Sequence, residues 1–176
     1  GNGRRESYRH PPLPRMRSTY MLPGPHRTEE IIRSVKKGIY CQNFSNGQVA
    51  IGAGDFTFYV KNGTLIEDGK LTRPVKDVNI IGNGPDALLK VDMVSDDLAI
   101  DEGGWTCGKN GQGVPVSQGI PTVRVASITV GGDEQRRHRD LRQALRMVHF
   151  GEQRFLLGLA HVERCLEIFL HRPALH

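Results

Sequence analysis

The chain has 176 residues, 38% of them hydrophobic and 24% charged, with a formal net charge of +5 and a sequence pI of about 9.3. That length suffices for one domain with a real core, since a chain of about 150 residues buries roughly 70% of its unfolded surface. No run approaches the roughly 18 apolar residues a membrane span requires, and the arginine-rich opening lacks the apolar stretch of a secretory signal, so a transmembrane or exported protein is not the expectation.

Gly1 is not an initiator Met, so the expectation is a chain that starts inside something longer or after processing. Its opening concentrates Arg4, Arg5, Arg9, Arg15 and Arg17 among Pro11, Pro12 and Pro14. Such a segment can track phosphates, but no nucleic-acid-binding motif accompanies it. The favoured reading is an extended, Pro-stiffened strand whose arginines pair with carboxylates elsewhere. One short helix, about 28–37, follows. Thr28 can cap it, Glu29 and Glu30 suit its first turn, Ile31, Ile32 and Val35 form one apolar face, Lys36 and Lys37 suit the last turn, and Gly38 can end it. A single apolar stripe predicts packing on a sheet face.

Short strands are predicted at 48–51, 55–61, 64–67, 70–75, 78–81, 87–94, 98–100, 114–116 and 122–130. Asn62-Gly63 and Asp68-Gly69 are dipeptides that favour tight turns. Ile81-Gly82-Asn83-Gly84-Pro85 lacks the Lys-Ser/Thr of a phosphate loop and reads as a turn between two strands. The fold class is mainly β, an antiparallel β-rich domain over 1–132. Composition changes at Asp133: the first part holds all seven lysines and 19 of 21 glycines, whereas 133–176 holds eight arginines and five of seven histidines. Leu141, Leu145 and Val148, then Leu156, Leu159, Val162, Leu166 and Phe169 after a break at Gly151, predict a C-terminal tail of two amphipathic helices.

Chemistry has few places to sit. Cys107 lies in Gly103-Gly104-Trp105-Thr106-Cys107-Gly108-Lys109-Asn110-Gly111-Gln112, read as a glycine loop that leaves the thiol open, with Lys109 able to favour the thiolate. The blander reading of a lone Cys is a small apolar filler. His10 and His26 are the histidines before the tail, at distances from Cys107 that the sequence leaves open. No His-Glu-x-x-His or Cys-x-x-Cys spacing occurs. His161 and Cys165, four apart, could hold a metal with His149 as a remote third ligand, though such a pair arises easily in a His-rich helix. Asp92, Asp96, Asp97, Asp101 and Glu102 miss the EF-hand spacing and read as a solvated edge. Cys41, Cys107 and Cys165 are too widely spaced for a disulfide framework, which suggests a reducing compartment.

The segments Gly3-Arg4-Arg5-Glu6-Ser7-Tyr8-Arg9, Pro14-Arg15-Met16, Thr19-Tyr20-Met21-Leu22-Pro23-Gly24, Leu65-Ile66-Glu67-Asp68-Gly69-Lys70, Cys107-Gly108-Lys109 with Gly111-Gln112, and Thr129-Val130-Gly131-Gly132 occur in one order across 1–132. In that order they resemble the C-terminal part of the TldD/PmbA family of metallopeptidases, on the TldD side. The resemblance implies a cytoplasmic hydrolase of unfolded or peptide substrates that works with a PmbA-like partner subunit or as a homo-oligomer. It also implies zinc held by a His-Glu-x-x-x-His helix and by one Cys, for which Cys107 is the match.

That helix motif is absent from this sequence. The resemblance therefore implies a C-terminal fragment with one metal ligand, Cys107, no catalytic residue of its own and no activity alone. Residues 133–176 are foreign to the family pattern and read as an out-of-frame or fusion extension whose removal leaves the β domain folded. The rivals are a non-catalytic β-rich partner subunit, which would not need the Cys-Gly-Lys block, and a basic nucleic-acid-binding module using Arg4 to Arg17.

Overall fold

The computed structural model describes residues 2–50, 52–101 and 105–132, together with the backbone of residues 145–149. Two short strands, β1 (Gly3–Arg4) and β2 (Leu13–Pro14), pair antiparallel, and β3 (Ser18–Tyr20) follows. Helix α1 covers Thr28–Arg33 and is shorter than expected. Arg27 is its N-cap residue, whose N–H donates to Glu30 Oε2 at 3.0 Å, so Thr28 is the first helical residue rather than the cap. Lys37 and Gly38 already belong to β4 (Lys37–Val49). The expected sheet packing is present: Ile31 and Val35 are fully buried in one cluster with Tyr40 and Ile66.

β5 (Asp55–Glu67) pairs with β4 along nearly its whole length. Asn62-Gly63 is therefore not a turn. Asn62 lies opposite Asn43, with an extra residue in β4 on one side, at Gln42, and an extra residue in β5 on the other, at Lys61, so both strands bulge there while the ladder continues. Asp68 and Gly69 do turn the chain, at φ 48° and 75°, into β6 (Lys70–Val75). β6 and then β7 (Val78–Asn83) lie end to end along the other edge of β5.

The Gly-Asn-Gly-Pro segment starts a helix instead of joining two strands. Asn83 caps α2 (Gly84–Leu89) by accepting the Asp86 N–H, and Pro85 fits its first turn because no intrahelical partner is needed there. The strand predicted over 87–94 is thus the end of α2 followed by β8 (Val91–Val94). β9 (Ala99–Ile100), β10 (Trp105–Lys109), β11 (Gln112–Ile120) and β12 (Val123–Gly132) complete the family of strands before the tail.

The tail adds a correction. Leu145–His149 is a strand, β13, where a helix through Leu145 and Val148 was expected. It lies antiparallel to β12 and parallel to β4. Two ladder edges offer its backbone more hydrogen bonds than an isolated turn of helix, and tertiary pairing overrides local periodicity. The rest of the predicted helical tail, with His161 and Cys165, lies outside the described residues.

The pairings β13–β4–β5–β7–β12–β13 close a ring of five strands, with β6 and β8 attached at its margins. Its interior is apolar: Ile39, Phe44, Phe56, Phe58, Ile80, Val123, Val125 and Val130 are all buried. Phe58 stacks at 5.8 Å from Phe44 and 5.3 Å from Phe56. Gly47 lies opposite Phe58, and a Cβ there would sit 2.0 Å from its ring, so the aromatic row requires a residue without a side chain. A separate small sheet, β10–β11–β3 with β9 on β11, is joined to the ring by the continuation of β11 into β12.

Candidate metal-ligand site

Cys107 sits on a strand, not in a loop. Asn110 and Gly111 take φ 50° and 72°, both in the left-handed region, and form a two-residue turn between Lys109 and Gln112 that fits the right-handed twist of the flanking strands. The register then sets Cys107 opposite Val114. Strand alternation puts Trp105, Cys107 and Lys109 on one half-buried face, and Thr106 and Gly108 on the exposed one.

The arginine-rich opening holds this hairpin from below. Arg15 Nη2 donates to the carbonyl of Cys107 and, at 2.9 Å, to that of Gln112. Gln112 Nε2 donates to the Pro11 carbonyl at 3.1 Å, while its Oε1 accepts the Glu6 N–H at 3.3 Å. Glu6 Oε2 accepts the Gly113 N–H at 2.5 Å, and Lys109 Nζ donates to the Pro14 carbonyl at 3.2 Å. Arg4 Nη1 closes the segment on itself by donating to Met16 O at 2.7 Å. Arg4 and Arg15 therefore bind backbone carbonyls, not the carboxylates expected of them, and neither is free to follow a phosphate chain. Lys109 reaches a carbonyl of the same segment, where the sequence suggested a role toward the thiol.

The other candidates are engaged elsewhere. Cys41 is fully buried in the ring, and desolvation pushes its thiol up to about 12, so it stays protonated and is unsuited to metal. The His10 ring bonds to Ser7 Oγ at 2.9 Å, and His26 lies 3.9 Å from Glu30. Asp92 holds Arg124 in a two-point pair at 2.7 and 2.8 Å, and Asp101 accepts the Trp105 indole N–H at 2.5 Å. Asp97 accepts from Ser95, from the Thr28 and Thr122 hydroxyls and from the Thr122 N–H. Partial burial pushes its carboxyl up, but these hydrogen bonds outweigh burial and hold it below the ordinary carboxylate value. Among the described residues no group of three or more His, Cys, Asp or Glu could hold a metal. Glu102 lies outside them.

What the described residues can offer a metal is thus less than a three-donor set, in which a single thiolate can take one place. Cys107 fits that part: it is a soft donor, partly exposed, on a strand whose backbone is fixed on both sides. Arg15 and Gln112 were missed as site residues. The signal that could have found them is Asn110-Gly111, which marks a hairpin and makes the partners of its carbonyls a question.

Comparison with known proteins matches residues 1–132 to the family model of the PmbA/TldA metallopeptidase C-terminal domain. The chain is 50% identical over 132 residues to a metalloprotease TldD homolog of Haemophilus influenzae, covering 75% of this chain and 27% of the relative. It is 36% identical over 132 residues to a zinc metalloprotease TldD homolog of Saccharolobus solfataricus, covering 75% and 29%. The solved structure of TldE from Thermococcus kodakarensis has a similar fold, with a TM-score of 0.61 at 19% identity over 75% of this chain and 27% of that one. The chain thus spans little more than a quarter of the length of these relatives.

Proposed function

This chain belongs to the PmbA/TldD metallopeptidase family, and from that premise we propose that it supplies the cysteine ligand of a zinc peptidase acting on unfolded or peptide substrates. The observation that carries the proposal is the placement of Cys107, within the family-matched residues, as a half-buried thiol on a strand tied to the opening segment. Zinc is supported by the name of the Saccharolobus solfataricus relative. When bound, the metal lowers the pKa of a water and polarises the scissile carbonyl.

This chain's own contribution is narrower. The Cys107 thiolate binds, and the Asn110-Gly111 hairpin orients it. Two imidazoles and a carboxylate base from a His-Glu-x-x-x-His helix, a motif this sequence does not contain, complete the proposal. The partner we propose is a PmbA-like subunit, in keeping with the fold shared with TldE, and the compartment is the reducing cytoplasm.

In a complete subunit bearing that helix, Cys107→Ser should lower peptide hydrolysis at least about 100-fold, beyond the usual effect of a residue outside the ligand shell, and lower bound zinc with it. Cys41→Ala should leave both in place. The present chain alone should hydrolyse no peptide. Full zinc occupancy in the Cys107→Ser subunit, by elemental analysis, would overturn the assignment.

A further inference from the structure

Among the described residues Arg15 is the only charged side chain that is buried, at 4% exposure. Its Nη2 reaches the carbonyls of Cys107 and Gln112, across 92 and 97 positions of chain. Its Nε and Nη1 are also buried and have no hydrogen-bond partner. Burying a guanidinium costs several kcal/mol unless its donors are satisfied, so the position of Arg15 calls for a physical reason. In the attached hairpin Val114 is buried opposite Cys107, but Gly108 and Gly111, beside and in the turn, have no neighbouring atom within 4 Å of where a Cβ would stand.

We propose that Arg15 is the positioning residue for the metal ligand: its guanidinium fixes the backbone on which the Cys107 thiolate is carried, and this rests on the reading of Cys107 as that ligand. Hydrogen bonds to charged donors are the stronger kind, roughly twice a neutral pair. One nitrogen bonding both strands of the hairpin holds its register and the direction of the Cys107 side chain together. Residues that orient a ligand from outside the metal's own shell typically set affinity by 10–100-fold. Gln112, 3% exposed, supports the same clamp from the opposite strand by bonding Glu6 and Pro11.

The test compares Arg15→Lys and Arg15→Met in the complete subunit. Zinc affinity, measured by competition with a chelator, should fall about 10–100-fold in both. In the present chain the same changes should speed amide exchange at Cys107 and Val114 and leave Phe58 and Ile80 in the ring protected. Wild-type zinc affinity with unchanged hairpin exchange would overturn the proposal. Should neither variant fold, the guanidinium of the unsubstituted chain decides by NMR. Hindered rotation with coupling from Arg15 Nη2 to the Cys107 carbonyl supports the clamp, and a freely rotating group overturns it. Zinc retained in Cys107→Ser would sink the ligand reading and with it the tie to metal, whereas unchanged hairpin exchange in the Arg15 variants would sink the clamp itself, so the two failures are distinguishable.

Discussion

The strand ring and the Cys107 hairpin are held by different physics. In the ring, large apolar side chains from β4, β5, β7 and β12 meet in a common interior, and each fully buried Phe or Ile contributes about 1.5–3 kcal/mol. The hairpin is tied to residues 4–16 by hydrogen bonds in both directions, from the Arg15 and Glu6 side chains to its backbone and from the Gln112 and Lys109 side chains to the backbone of the opening segment. Such contacts are worth about 1 kcal/mol net each, more where a charge takes part. One region is specified by volume and the other by donor and acceptor positions. A substitution can therefore damage the site while the fold survives, and the reverse is harder.

The largest break in that comparison should come from the ring. Phe58→Ala removes the centre of the aromatic row and should cost about 3–5 kcal/mol in chemical denaturation, with hairpin and ring unfolding together. Loss at the hairpin alone would show that the ring tolerates the cavity. Gln112→Ala should cost less, about 1–3 kcal/mol, because it leaves the Glu6 N–H and Pro11 carbonyl without their partner. Its effect should appear as faster exchange in β10 and β11 with little change in β5. Gly111→Ala forces a side chain into the left-handed region and should cost about 1 kcal/mol, read from the thermal midpoint.

Asp97 sharpens the comparison through pH. Its carboxyl is held below its ordinary value in the folded chain, so the folded state binds fewer protons there than the unfolded state. The resulting stability is present above the unfolded value of about 3.9 and is lost as pH falls through the lower folded value. Thermal midpoints taken from neutral pH downward should decline in that acid window, and Asp97→Asn should flatten the decline. An unchanged acid slope in the variant would remove Asp97 as its source.

Elements with local signals were legible in the sequence. Glu29, Glu30 and the Ile31–Val35 stripe marked α1, and Asp68-Gly69 marked the β5–β6 turn. Where the deciding partner lay far along the chain, local signals misled. Asn62-Gly63 has turn chemistry, yet pairing with β4 carries β5 through it. Ala87, Leu88 and Leu89 read as strand because three apolar residues carry no period, while the Asn83 cap decides for helix. Leu145 and Val148 fit a helical stripe, but the edges of β4 and β12 draw that backbone into a strand.

Because β13 sits in the seam of the ring, a chain ending at Gly132 should keep a cooperative transition at a lower denaturant midpoint, with two strand edges newly open. At the site, the proposal for Cys107 rests on the family resemblance and not on its neighbours, which look like a glycine loop but form a strand. Arg15 was not legible, since nothing within fifteen residues of it indicates two carbonyl partners more than ninety residues away.

The central claim is that the thiolate of Cys107, held on the hairpin, is a metal ligand. Cobalt(II) in place of zinc in the complete subunit tests it directly, because a bound thiolate gives a sulfur-to-cobalt charge-transfer absorption. That band should be present in the parent and in Cys41→Ala, and absent in Cys107→Ser. Its persistence at full intensity in Cys107→Ser would contradict the account.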